Sequence, residues 1–159
     1  RFQTFMTGEL FAALRDHTIL GRTMRAGASP DRAAFARGVS VARGAQRTGL
    51  LATIFSTRTL GLTDRLAPDA QGDYLSGLLI GHELNALDAM LAERGIALVD
   101  QPLLLIGDDV LCARYVDALR VFGHTHARVV AHATERGLWR IAARAGLVRA
   151  DGEPVLADQ

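Results

Sequence analysis

The chain has 159 residues, of which 49% are hydrophobic and 22% charged, and a formal net charge of +1. That length and apolar content suit one globular domain with a real core and argue against a disordered chain. The near-neutral balance excludes a charge-driven nucleic-acid or membrane-surface role.

All 18 basic residues are arginine, which removes P-loop, Schiff-base and general-base lysine chemistry from the chain. The single cysteine, Cys112, excludes an intramolecular disulfide and a cysteine-based zinc cluster, and suits a reducing cytosol. Apolar runs such as Leu103 to Ile106 fall far short of the roughly 18–20 residues that a membrane span needs. The first residues, Arg1 to Thr4, have neither an initiator methionine nor a signal-peptide pattern and read as a chain entered partway through.

Residues 1–6 alternate and predict a short strand. Thr7, Gly8 and Glu9 open a helix with Leu10, Phe11, Leu14 and Thr18 at helical spacing, closed by Gly21. Residues 22–29 read as a mobile loop. Ser29, Pro30 and Asp31 then carry cap chemistry, with the proline at the first position of a helix reaching about Arg43.

A third helix is expected from Thr48 to about Gly61, followed by a polar link and the longest helix, about Asp73 to Arg94. Small residues there, Ser76, Gly77 and Gly81, predict close helix packing. Leu103 to Ile106 is a continuous apolar run of the buried-strand kind, and Gly107 turns the chain into a helix from Asp108 or Asp109 to about Gly123. A strand over His126 to Val130 and a helix from Thr134 to Ala145 follow, and residues 148–159 read as a flexible tail. Two terminal βα units make the class α/β with a partly parallel sheet. Such a thin sheet leaves edges that something else should cover.

The sharpest local feature is the strand–glycine–helix junction at Gly107. Open α/β sheets bind ligands at the carboxyl ends of their strands, and glycine lets a flat ligand approach the backbone. The alternative is a tight turn with Asp108 or Asp109 as helix cap. Two aspartates at a helix N-terminus oppose a phosphate there and suit a ribose or adenine better. Thr7, Gly8 and Glu9 could present N–H donors and a carboxylate, or Thr7 could simply cap the helix.

His124 and His126 could share a metal only with a third ligand, and no metal site is assigned. His17 reads as a hydrogen-bonded structural histidine and Cys112 as an inert buried thiol. Arg136, Arg140 and Arg144 read as a solvated face, and Arg58 as a snorkelling side chain or a bidentate carboxylate partner.

Taken together, Phe2–Leu10, Asp16–Gly21, Phe55–Leu62, Tyr74–Glu83, Leu104–Gly107 and Ala113–Tyr115 resemble, in order and spacing, the 2-dehydro-3-deoxygalactonokinases. The strings TGE at Thr7–Glu9 and LSGLLIG at Leu75–Gly81 are the more specific parts. The resemblance covers about residues 1–147. It implies a ribonuclease H-like second domain of the actin-like and sugar-kinase superfamily, with residues 1–147 as the C-terminal half of a two-domain, cytoplasmic enzyme.

The implied activity is ATP- and magnesium-dependent phosphorylation of 2-dehydro-3-deoxy-D-galactonate to its 6-phosphate. By the resemblance one phosphate loop would lie near the start of the N-terminal half and the second just before Arg1, with the general base also in the N-terminal half, so this chain by itself is expected to be inert. By the same resemblance Gly107, Asp108 and Leu111 fall at the adenosine position, though Asp108 replaces a residue that is often small. Thr7, Gly8 and Glu9 fall at the phosphate end of the cleft. Arg58 matches an arginine of the pattern, and its role on the substrate carboxylate is our own assignment. No metal ligand is assigned to this chain, and a homo-oligomer is compatible with the sequence. The rival is a complete small non-catalytic α/β domain that binds a nucleotide or a protein; a sibling kinase for another sugar acid is a third reading.

Overall fold

The computed structural model describes residues 2–148. Seven helices and two short strands make up the described chain: α1 Thr7–His17, α2 Arg32–Gly44, α3 Gly49–Thr53, α4 Ser56–Leu62, α5 Gln71–Ala92, β1 Leu104–Leu105, α6 Asp109–Val121, β2 Arg128–Val129 and α7 Ala133–Arg144. Two 3-10 turns, Gly21–Thr23 and Leu98–Asp100, join them.

The centre is α5. Tyr74, Leu75, Leu78, Leu79, Ile80 and Leu84 are all buried, and they point to more than one side, as expected of a helix wrapped by others. One side packs Ile80 and Leu84 against Phe35 and Val39 of α2 and Ala118 and Leu119 of α6. Another sets Tyr74 and Leu78 against Ala34, Ala42 and the Leu66–Ala70 link. The third sets Leu75 and Leu79 against Leu20, with Phe11 and Leu14 of α1 beside them. Each fully buried leucine contributes about 1.5–3 kcal/mol of transfer free energy.

The crossing of α2 and α5 depends on glycine. A Cβ added at Gly77 would collide with the Phe35 carbonyl, and one at Gly38 with the Tyr74 carbonyl. At Gly81 it would lie 2.6 Å from Ala42 Cβ. Of the small residues expected to allow close packing, Gly77 and Gly81 do so, with α2 as the partner.

β1 and β2 are parallel, with Leu104 opposite Arg128 and Leu105 opposite Val129. The α6 crossover makes that direction possible. Arg128 N–H donates to Leu103 O and Val130 N–H to Leu105 O, both at 2.9 Å. The described chain is thus a mixed, mainly helical α/β structure with a two-stranded parallel sheet.

Several expectations need correction. Residues 2–6 form no strand, since nothing described offers them a ladder, and Phe2 is 94% exposed; residue 1 lies outside the described residues. The first helix ends at His17, not Gly21: Thr18 turns extended, its hydroxyl bonds the Leu14 carbonyl, and it accepts from Leu20 N. Of residues 22–29, Arg22 and Thr23 lie in a 3-10 turn rather than a loop, and Arg25 N–H donates to Pro68 O at 2.9 Å.

Asp31 is the cap of α2, accepting from Ala34 N at 2.9 Å, so Pro30 stands outside the helix rather than at its first position. The helix expected over 48–61 breaks into α3 and α4 at Ile54 and Phe55. The Leu103–Ile106 run is buried on one face only. Leu103 and Leu105 pack on the core, whereas Leu104 and Ile106 are 64% and 60% exposed, because nothing described covers the outer face of the sheet. The second strand is only Arg128–Val129. The tail expected over 148–159 lies, apart from Val148, outside the described residues.

Candidate functional site

At the carboxyl ends of β1 and β2 their two outgoing loops face one another across a crevice of about 480 Å³. Ile106 to Asp109 form one wall and Val130 to Glu135 the other. Asp108 is the N-cap of α6, its Oδ1 accepting from Val110 N at 3.0 Å and Leu111 N at 3.1 Å. The capping reading of this aspartate therefore holds. Leu111 joins the same turn through its backbone, while its half-exposed side chain is not part of the crevice wall.

A Cβ at Gly107 would meet only Cys112 Sγ, at 3.7 Å, an ordinary contact. Its φ is not in the left-handed region. Neither backbone conformation nor internal packing explains glycine here. On the far wall His132 has φ 52°, and α7 starts without a side-chain cap. Its ring lies 3.9 Å from Glu135, both groups largely exposed. Cys112 is buried and free, as expected.

A second cleft, of about 320 Å³, opens between the start of α2 and the first turns of α6. Its lining mixes Pro30, Phe35, Val110 and Ala113 with six charged residues, Arg32 and Asp117 among them. Asp73 of α5 organises its polar side: Oδ1 accepts from Arg114 Nη2 at 2.5 Å and Oδ2 from Asp31 N at 2.7 Å. One carboxylate thereby ties together α2, α5 and α6. The Arg114 guanidinium also sits 5.4 Å from the centroid of the Phe35 ring. Asp109 lines both this cleft and the strand-end crevice.

The third arrangement is at the start of α1. Thr7 does not cap its helix; Met6 holds the cap position and the Thr7 hydroxyl donates to Glu83 of α5. Tyr115 of α6 donates to the same Glu83 oxygen at 2.8 Å. Burial, and then the bond to Glu83, pushes the Tyr115 phenol far above its ordinary value. The neighbouring His82 shares a 2.8 Å hydrogen bond with Thr53, and burial lowers its pKa.

Thr7, His82 and Glu83 line a small cleft of about 240 Å³; Gly8, Glu9 and Arg58 are not in its walls. Gly8 has open space around a Cβ, and Glu9 is exposed. Arg58 donates to the Ile19 carbonyl at 2.9 Å, which braces the turn after α1.

The Gly107 junction and Thr7, both singled out from the sequence, line clefts, whereas Asp73, Glu83, Arg114 and Tyr115 were not among the candidates. The last three lay inside the quoted strings Tyr74–Glu83 and Ala113–Tyr115; the signal was present, but their partners on other helices were not. His124 is buried and bonds the Gln101 carbonyl at 2.7 Å, whereas His126 is exposed. His17, expected to be hydrogen-bonded, is exposed on the last turn of α1, and its ring has no hydrogen-bond partner among the described residues. Arg136, Arg140 and Arg144 form an exposed face of α7 as expected.

A family model described as 2-keto-3-deoxy-galactonokinase matches residues 1–141. The chain is 30% identical over 123 residues to the 2-dehydro-3-deoxygalactonokinase of Escherichia coli (strain K12), which covers 77% of this chain and 39% of that protein. It also resembles the crystal structure of a provisionally assigned 2-dehydro-3-deoxygalactonokinase from Sinorhizobium meliloti. That match has a TM-score of 0.76 and 32% identity, covering 91% of this chain and 47% of the other. The chain thus spans less than half the length of either relative.

Proposed function

The chain belongs to the 2-keto-3-deoxy-galactonokinase family, and from that premise we propose that it forms the nucleotide side of a sugar-acid kinase. Residues 1–147 are then the C-terminal half of a two-domain, cytoplasmic enzyme with a ribonuclease H-like second domain. The substrates are ATP and 2-dehydro-3-deoxy-D-galactonate, and the product is the 6-phosphate. The observation that carries the reading is the glycine at the strand-end crevice. Gly107 stands in the crevice wall with only Cys112 Sγ, at 3.7 Å, near its Cβ position among the described residues, so its backbone is open to a ligand there.

The residues present fit a nucleoside better than a bare phosphate. Asp108 and Asp109 at the α6 N-terminus and Glu135 across the crevice offer hydroxyl acceptors and repel phosphate. Asp108 holds the first turn of α6 in place, Leu111 belongs to that same turn, and Gly107 leaves room for the sugar. The phosphates then lead away from these carboxylates toward the α1 start, where Glu83 holds Thr7 and so fixes the direction of the turn through Gly8 and Glu9. Arg58 keeps its proposed role at the substrate carboxylate with the N–H groups that Ile19 does not engage.

ATP bound with magnesium supplies the transferred phosphoryl group and neutralises its charge. Among the described residues no group of three His, Cys, Asp or Glu side chains is placed to hold a metal ion. The phosphate loops and the base that takes the hydroxyl proton belong, in this reading, to the remainder of the enzyme.

Gly107→Val in the full-length kinase tests the reading. The expected result is a rise of about tenfold or more in both KM for ATP and Kd for ADP, with little change in KM for the sugar acid. Tenfold corresponds to about 1.4 kcal/mol of lost binding. An unchanged Kd for ADP would remove the nucleotide from this crevice.

A further inference from the structure

We infer that Glu83 is a positioning residue of the kinase, setting the first turn of α1, at the phosphate end of the cleft, against α6, whose first turn lies at the nucleotide crevice. The inference deepens the nucleotide reading of the Gly107 crevice and rests on it.

Helix α1 depends on such a tie. It has no fully buried residue, and its Phe11 and Leu14 rest only partly buried against Leu20, Leu75 and Leu79. Met6, at the cap position, makes no side-chain cap bond. Among the described residues, the bond from the Thr7 hydroxyl to Glu83 is the one side-chain hydrogen bond that leads from α1 to another element. Thr7 is the first residue of α1, so the bond acts at the end of the helix where Gly8 and Glu9 follow.

Helix α6 is anchored without Glu83. Ala118 and Leu119 are buried with Ile80 and Leu84 of α5, and Arg114 bonds Asp73 of α5 at 2.5 Å. From that fixed base Tyr115 donates, at 2.8 Å, to the same Glu83 oxygen that Thr7 uses. Burial and the bond to Glu83 hold the phenol far above its ordinary value, so it stays a donor through the neutral range. An ionised carboxylate only accepts, and bonds to it are about twice as strong as those between neutral groups. Tyr115 thereby fixes where the carboxylate stands, and the carboxylate fixes where Thr7 stands.

The two helices respond differently when the link is cut. Without the carboxylate the lightly packed start of α1 is released, whereas α6 keeps its core contacts. Nucleotide binding then persists while the phosphoryl group loses its alignment. Phosphoryl transfer relies almost entirely on positioning, and a misplacement of about 1 Å can cost on the order of a hundredfold in rate.

Glu83→Met keeps the length of the side chain and removes both acceptor oxygens. In the full-length kinase it is expected to lower kcat by about tenfold or more, with the Kd for ADP by titration calorimetry within about twofold of the parent. Thr7→Val, outside the core, carries the same expectation and takes its place should the methionine variant fail to fold. The double variant is expected to be no slower than the slower single one, because both cut one link. A kcat within about twofold of the parent in either variant overturns the inference, as does a double-variant loss equal to the product of the single losses. A rise in the Kd for ADP that parallels the fall in kcat also overturns it, since that would mark a general disturbance. Gly107→Val separates the two failures: weakened ADP binding there, with parent-like kcat in Glu83→Met and Thr7→Val, overturns this inference alone, whereas unweakened binding there overturns the crevice reading beneath it.

Discussion

Asp73 and Glu83 lie ten residues apart on α5, and each receives hydrogen bonds from two other parts of the chain. Each carboxylate has two oxygens and no donors when ionised, so it can join a pair of elements that apolar packing would leave free to slide. Asp73 sets the α2–α6 cleft, and Glu83 ties α1 to α6 through Thr7 and Tyr115. Beside Glu83, His82 has its pKa lowered by burial. The unfolded chain therefore binds this proton more readily than the folded one, and stability falls as pH drops below the ordinary histidine value of 6.5. Urea melts between pH 7.5 and 5 are expected to show a loss on the acid side that His82→Gln reduces. Equal slopes in both proteins would assign the acid sensitivity to other groups.

At the scale of elements, α2 and α5 form the most intimate pair. Its glycines were visible in the α5 sequence, but their partner was not, because a glycine does not say which backbone will approach it. Gly77→Val would drive two methyl groups toward the Phe35 carbonyl, and the expected loss is about 3 kcal/mol, the upper part of the usual overpacking range. Gly137 in α7 is the contrast: nothing lies within 4 Å of its Cβ position, so Gly137→Ala is expected to stabilise by up to about 1 kcal/mol through helix propensity alone. Thermal or denaturant melts of the two variants should move in opposite directions. Boundaries were less legible than the helices themselves. Thr18, Asp31 and the Ile54–Phe55 break depend on which side chain reaches which backbone group, and several residues in each region had the chemistry to do it.

At the scale of the whole molecule, large apolar side chains stay exposed at the sheet and on α7. Leu104 and Ile106 of the sheet region, and Leu138 and Ile141 of α7, are all at least 60% exposed. Where exposed apolar side chains adjoin, they mark a surface that meets another body. The 159-residue chain produced by itself is expected to bind a hydrophobic dye, to self-associate in sedimentation, and to transfer no phosphoryl group from ATP to the sugar acid. A monodisperse, dye-silent monomer with kinase activity would contradict both the surface argument and the proposed division of labour. From the sequence by itself came the helix-rich α/β class, the parallel βα pair, the Gly107 junction and the family, since periodicity, glycine placement and local strings are properties of neighbouring residues. Only the tertiary structure decided that Asp108 is a cap, that Thr7 answers to Glu83, that Leu103–Ile106 is buried on one face alone, and that Arg114 and Phe35 share a cleft. Those pairings join residues up to 79 positions apart, and the path of the backbone through space, not the order of the letters, brings them within reach.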